Sequence, residues 1–488
     1  MAHTRDIFLD HAATTPLHPE ALGLMLPYFG NHFGTPSMPH AFGEKPRAAL
    51  QEARARVSRL IGALPQEIFF TSSGTEANNL ALLGAADARM GKGHIVTSSI
   101  EHSSVLNTLA RLKHLGFEVT ELAVDAQGLI SPAQLEESIR DDTFLISIMH
   151  ASNETGVIQP LETVGRIARE RGVILHCDCV QSAGKVTVDV NSMQVDLLSI
   201  SSHKLYGPKG TGALFVREGT RLSPVMFGSG QEKGLRPGTL NIPCIVGFGL
   251  ACEKARLDMD KNSPYISNLK QSLEEMLIAK VPGIHINGSG AARVPHISSI
   301  SFDSIQADAL AAWLDLIGIT VSARASLFSR RSSGPIAALG KSPDLASGTL
   351  RFSPGWENSM DEMHAAAEAV TEAVAGLRRF SRAVGDEPVC IMSFSSKNHV
   401  ERSHRYLEEA GILCAVTARP VELDHLMGPR TALAVPCTHQ DQAGSLLGRH
   451  SITLTGMHRM KGLCRTRSNE EQGFWEKVSQ VKKDSSQN

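Results

Sequence analysis

A lysine set directly behind a short apolar run is the first residue in this chain that points to chemistry. Lys204 ends the stretch Ser201-Ser202-His203-Lys204, which follows the run 197–200. An unpaired ammonium at the end of a buried strand is costly, and one use for it there is a Schiff base with an aldehyde cofactor. Taken alone, the stretch would more often be a solvated loop. Its surroundings favour the chemical reading. Asp178 lies just past the run 173–176, in HCDCVQSAG, where a carboxylate could pair with a ring nitrogen and make the ring an electron sink; alternatively it caps the following turn. Gln181, three residues on, could hydrogen-bond a ring oxygen. Ser73-Gly74-Thr75 follows the run 68–70 and opens a helical pattern. Free N–H groups, a helix dipole and a hydroxyl there suit a phosphate, although the same residues also make an ordinary helix cap. Glu101-His102 follows 95–97 in the same strand-to-helix position, where an imidazole could stack on a flat cofactor; a lone histidine is more often structural.

These residues share one kind of position. From about 65 to 230 the pattern is strand, turn, helix, repeated, with strand-like runs at 68–70, 95–97, 143–149, 173–176 and 197–200 and helical stretches at 76–90 and 103–115. Short buried runs alternating with helices predict a mostly parallel sheet covered on both faces, whose ligands bind at the carboxyl ends of the strands. Beyond 250 the chain changes: a helical pattern over 247–280, strand candidates at 297–302 and 319–322, and a helix over 360–377. A third segment opens near 386, with strands at 389–394, 412–416 and 431–435, a helix at 398–410 and a helix from 441. The expected organisation is a cofactor-binding domain over 1–250, with segment 1–30 packing on a small α+β domain over 251–382, then a small α/β appendage over 386–460 and a frayed polar tail over 461–488.

Composition narrows the function classes. At about 100–200 residues per domain, 488 residues make several units. The 48 basic and 50 acidic residues nearly balance, and aromatics are 5%, which argues against a nucleic-acid partner. No apolar run is long enough for a membrane span, and the N-terminus lacks the apolar region of a signal peptide. The eight cysteines are scattered, without disulfide-like or zinc-like spacing. No metal is expected, and a cytoplasmic location with reduced thiols is.

Taken together, TSSGTEANN (71–79), EHSSV (101–105), NETGVIQP (153–160), CDCVQSAGK (177–185) and SSHKLYGPKGTGALFVR (201–217) resemble the successive signatures of the cysteine desulfurases of nitrogenase and iron–sulfur assembly. LDHAATTP (9–16), FGTPSMPHAFG (33–43) and GSGQEKGLRPGTLN (228–241) match in the same order, so the resemblance covers roughly 7–380. It implies an α/β, fold-type-I homodimer that uses pyridoxal 5'-phosphate (PLP) on a small amino-acid substrate. By resemblance, Lys204 carries the cofactor and His102 stacks on its ring. Asp178 pairs with the pyridine nitrogen, Gln181 meets the phenolate oxygen, and Gly74, Thr75, Ser201 and His203 hold the phosphate. Thr239 reaches the partner subunit's phosphate. Asn153 lies against the cofactor and joins Arg351 in binding the substrate carboxylate, a task suited to a planar guanidinium.

The chain departs from that pattern at one position. The family carries its sulfur-accepting cysteine on a loop after a stretch like GITVSARASLFS (318–329), and an ungapped alignment puts Leu327 in its place. No cysteine lies between Cys252 and Cys390, and leucine is no nucleophile. Arg324, Arg330 and Arg331 add charge to the same loop. Another thiol could replace the missing one, the enzyme could release a fragment directly as a C–S lyase does, or it could act on a different amino acid; a non-enzymatic scaffold that binds PLP is a further alternative. Residues 388–436 resemble a small carrier-like domain associated with sulfur and selenium metabolism, which suggests an acceptor protein for either element. Met427-Gly428 stands at that domain's Cys-Gly. Cys437, in the polar turn PCTHQD, is the expected exposed thiol, whereas Cys390 and Cys414 on apolar runs read as structural. Cys177 and Cys179 flank Asp178, and strand alternation turns both away from it.

Overall fold

The computed structural model describes residues 6–89, 91–323, 334–385, 387–419, 429, 431–452 and 454–461. Leu327, the three loop arginines, Met427, Gly428 and everything after Lys461 lie outside the described residues.

The apolar runs of the first half form one seven-stranded sheet. Its order is Ile68–Thr71, Gly212–Val216, Leu197–Ser201, Ile174–Asp178, Thr143–Ser147, His94–Ser98, Glu118–Leu122. Only Gly212–Val216 runs against the others; the remaining neighbours are parallel. The central strands are buried along their whole length, as a sheet covered on both faces requires. The edge strand Glu118–Leu122 is mostly exposed or half-buried. The fold is therefore a mixed, mostly parallel α/β sheet with helices on both faces.

The helix Ile242–Lys280 leaves this layer and runs into a second one. Its first half packs against helix Ala41–Leu60. At the crossing, a Cβ on Gly249 would lie 2.6 Å from the Ala53 Cα, so only glycine allows that approach. Beyond it, Ser322–Ala323, Thr349–Phe352, Ser298–Phe302 and Ile284–Ile286 form a four-stranded antiparallel sheet. The single strand expected at 319–322 is broken in two. Ile319–Thr320 pairs in parallel with Ile7–Phe8, while Ser322–Ala323 pairs with Thr349–Phe352. Ile7 and Leu9 thereby enter the apolar cluster of Leu310, Phe352 and Met363.

A third sheet has the order Ala415–Ala418, Thr431–Pro436, Pro388–Phe394, Leu454–Lys461, every pair antiparallel. Strand alternation splits its side chains. Val389 and Ile391 join the cluster of the second layer, whereas Cys390, Met392 and Phe394 pack with Val400, Leu407, Ala443 and Leu447 under helices Lys397–Glu409 and Gln440–Arg449. Among the described residues, no helix is long and apolar enough to cross a membrane.

Candidate active site

The ends of strands Leu197–Ser201, Ile174–Asp178 and His94–Ser98 of the large sheet bring Lys204, Asp178 and His102 together. Strand Leu197–Ser201 runs into the short turn Ser202–Lys204, and the Lys204 Nζ donates to the carbonyls of Ala12 at 2.6 Å and Ala13 at 2.5 Å. Burial, then the nearby Arg351 charge, lowers the Lys204 pKa to about 8. The neutral amine, the form that attacks a carbonyl, is thus reached at a lower pH than in an ordinary lysine. Gln181 Nε2 donates to the same Ala12 carbonyl at 2.9 Å, and its Oε1 lies 3.3 Å from His296 Nε2.

Asp178 ends the neighbouring strand, buried. The Val180 N–H donates to its Oδ1 at 3.0 Å, and Asn78 Nδ2 donates to its Oδ2 at 2.7 Å. The second amide proton of Asn78 goes to Ser104 Oγ at 2.8 Å, and that hydroxyl donates to His102 Nδ1 at 2.8 Å. The Ser104 N–H also reaches Nδ1, so the neutral His102 ring carries its proton on Nε2. Burial lowers the His102 pKa. Asn78 thus ties the carboxylate expected under a ring nitrogen to the imidazole expected on its face. Next to His102, burial pushes the Glu101 carboxyl up to about 8; its Oε1 accepts from Ser98 Oγ and the Met149 N–H.

The phosphate seat can be tested on its own atoms. Helix Gly74–Ala88 starts at Ser73, whose Oγ takes the Glu76 N–H at 3.1 Å. A Cβ on Gly74 would lie 2.8 Å from Val180 Cγ2 and 3.3 Å from Ser201 Cβ, so glycine keeps the end of the helix open. The Ser201 hydroxyl, beside Gly74, is buried there without a partner, and buried hydroxyls rarely stay so. A phosphate at the helix N-terminus would supply the missing acceptor. His203 Nδ1 meets Thr14 Oγ1 at 3.1 Å, and burial lowers its pKa to about 4. The residues present therefore fit a phosphorylated pyridine aldehyde such as PLP.

Arg351 comes from the second sheet. Its Nη1 donates to the Asn153 carbonyl at 2.7 Å and its Nη2 to Asp10 Oδ1 at 2.8 Å, while Nε is buried without a partner. Asn153 and Arg351, about two hundred positions apart in sequence, are thus in direct contact. Thr239 lies apart from the cluster, exposed on the loop before helix Ile242–Lys280, and among the described residues no hydrogen bond joins it to Lys204. That loop is anchored by Arg236, which pairs with Glu76 at 2.7 Å in the first turn of the phosphate-seat helix.

Asp10, Ala12, Ala13 and Asn78 hold the site together but were not singled out from the sequence. Ala12 and Ala13 act through backbone carbonyls, which carry no residue signature. Asp10 lies inside LDHAATTP, so that motif was the available signal. Cys177 and Cys179 sit in the apolar core with their sulfurs 3.5 Å apart.

Residues 7–412 match the family Aminotransferase class-V. The chain belongs to the cysteine desulfurase branch of that family. It is 43% identical over 379 residues to the cysteine desulfurase IscS of Anaeromyxobacter dehalogenans (strain 2CP-C), covering 77% of this chain and 94% of that one. Against the cysteine desulfurase of Pongo abelii it is 39% identical, covering 77% and 83%. Among solved structures, a NifS-like protein superposes with a TM-score of 0.72 at 34% identity, covering 76% of this chain and 99% of that one. SspA in complex with cysteine superposes with a TM-score of 0.64 at 38% identity, covering 72% and 100%. This class-V chain is accordingly a PLP-dependent enzyme of the fold-type-I class.

Proposed function

We propose that this class-V enzyme acts on cysteine, selenocysteine or a close relative, and that it differs from its relatives in how the sulfur or selenium leaves. The observation that carries this reading is the meeting of Arg351, from the second sheet, with Asn153, Lys204, Asp178 and His102, all from the layer of the large sheet. An amino acid bound there has its carboxylate oriented by the guanidinium and its α-carbon presented to a lysine. PLP, when bound, supplies the electron sink.

The chain's own groups then have separate tasks. Ser201, His203, Gly74 and Thr75 hold the phosphate, and Asp178 holds a proton on the ring nitrogen. His102 covers the ring face, and Gln181 faces its oxygen. Lys204 Nζ, with its lowered pKa, takes and returns the proton at the substrate carbon. Thr239 completes the phosphate site of a second subunit. The exposed neighbouring rings of Phe33 and Phe42, 5.7 Å apart, support a homodimer, since large apolar groups gathered on a surface mark interfaces.

The leucine at position 327 favours a second reading, β-elimination. Without a thiol on that loop the Cβ–S bond breaks by expulsion of hydrosulfide, and water converts the remaining fragment to pyruvate and ammonia, whereas thiol attack on the substrate sulfur leaves alanine and a persulfide on the attacking thiol. The test is to add cysteine to the purified protein while following its absorption spectrum, alanine, pyruvate, ammonia and sulfide. Substrate chemistry predicts a spectral change with turnover. No response to cysteine, selenocysteine or related amino acids would end the reading of an enzyme for sulfur or selenium amino acids.

A further inference from the structure

The small third sheet contains a feature that the amino-acid site does not use. Cys390, buried on strand Pro388–Phe394, and Cys437, at the end of strand Thr431–Pro436, have their sulfurs 2.8 Å apart. The strands are neighbours, with Val389 paired to Pro436 and Cys390 to Val435. Cys437 then opens the turn Cys437–His439, half-exposed, ahead of helix Gln440–Arg449. Cys390 Sγ also donates to Gln440 Oε1 at 2.9 Å. Two thiols this close need to move by less than about 1 Å to reach bonding distance. One faces the surface and the other lies behind it.

We propose that Cys437 and Cys390 form a sulfur-discharging pair, in which Cys437 receives sulfane sulfur as a persulfide and Cys390 displaces it as hydrosulfide. Loading is an exchange: the Cys437 thiolate attacks the outer sulfur of a donor persulfide, the donor leaves as its thiolate, and Cys437 carries –S–SH. In discharge, Cys390 Sγ attacks Cys437 Sγ. The Cys390–Cys437 bond forms and the bond from Cys437 to the terminal sulfur breaks. That sulfur leaves with the electron pair as hydrosulfide, and the Cys390 proton passes to solvent. The sulfane sulfur gains two electrons, and the two cysteine sulfurs lose them. An external dithiol resets the pair.

The local chemistry orders the two steps. Burial, followed by the hydrogen bond and charge of Cys437, pushes the Cys390 thiol up to about 12. It is therefore a poor first nucleophile, and the accessible Cys437 reacts first. Burial, the largest of these influences, acts on Cys390 whether or not Cys437 is loaded. Arg459 remains to favour its thiolate, against Asp441. The inference rests on the proposed amino-acid chemistry only for the origin of the sulfur.

The test uses the reduced, PLP-loaded full chain and supplies glutathione persulfide directly, which bypasses the amino-acid site. The parent should release sulfide and yield a peptide linking Cys390 to Cys437. Cys390→Ser should hold a persulfide on Cys437 and lose sulfide release, and Cys437→Ser should lose both. Oxidised glutathione in a second arm should give the same linked peptide with release of glutathione. A parent that keeps a persulfide on Cys437 while Cys390 stays open to alkylation overturns the proposal, as does a disulfide to any other cysteine. Failure of the amino-acid reading would appear separately, as a spectrum that ignores cysteine.

Discussion

Arg351 donates to Asp10 across 2.8 Å, and this pair joins the N-terminal segment to the second sheet at the point where a substrate carboxylate would enter. Both side chains are largely buried, so the guanidinium is charge-balanced before any substrate arrives. The motif LDHAATTP therefore serves the site through Asp10 and through the carbonyls of Ala12 and Ala13.

Arg351→Ala should keep PLP and lose the amino-acid-induced spectral change, with substrate binding weakened by about 2–5 kcal/mol, the usual cost of stripping one side of a buried charge pair. Breaking the pair from either side should also lower the thermal midpoint, since Asp10→Ala leaves a buried guanidinium and Arg351→Ala a largely buried carboxylate unbalanced, at a cost of about 3–5 kcal/mol. Equal responses to amino acids in Arg351→Ala and the parent would place the carboxylate site elsewhere.

Lys204 should take up cofactor in a pH-dependent way. Its pKa is lowered to about 8, and only the neutral amine attacks. Attachment of PLP to the apo-protein should therefore accelerate as pH rises through about 8 and then level off, well below the pH range of an ordinary lysine. Borohydride reduction and peptide mapping should find the cofactor on Lys204; an adduct on another lysine would refute the assignment.

Asn78 should matter although it meets no expected substrate. Asn78→Ala leaves Asp178 Oδ2 and Ser104 without their shared donor. Losing such buried hydrogen bonds costs about 1–3 kcal/mol, and the loss should appear as weaker PLP retention measured by dialysis or titration. Ser104→Ala should leave His102 Nδ1 with the backbone N–H of residue 104 alone, loosening the ring and changing the bound-cofactor spectrum while Asp178 stays paired. Unchanged retention in Asn78→Ala would reduce it to a helix-packing residue.

A composite site predicts complementation. Lys204→Ala chains mixed and refolded with Thr239→Ala chains should regain activity that neither has alone, since one of the two sites in each heterodimer is then intact. A fully loaded, active monomer at assay concentration would contradict the shared site.

Much of the large sheet was legible because its central strands are short, mostly apolar and bounded by turns, and because Lys204, Asp178 and His102 each stand at or just past the end of one. What escaped had weaker local signals. Glu118–Leu122 is an edge strand with polar residues facing out, and Leu454–Lys461 mixes Thr, His, Arg and Lys with its apolar residues, its pairing with Pro388–Phe394 being a long-range matter. The break at 321 depends on two partner strands, which local periodicity cannot reveal. In the site, Asn78 looked like one more residue of a helix start, and the Ala12 and Ala13 carbonyls act through backbone that any sequence supplies. Cys390 read as a structural thiol and Cys437 as an exposed one; only the strand register brings their sulfurs together.

The most direct measurement supplies cysteine to the PLP-loaded parent and records alanine against pyruvate, with and without prior thiol blocking and beside Leu327→Cys. The account predicts that alanine formation by the parent is slow and lost on thiol blocking, with pyruvate and ammonia marking the remaining turnover. Leu327→Cys should gain alanine formation together with a persulfide on the introduced thiol. Rapid alanine formation by the parent that survives thiol blocking would contradict it.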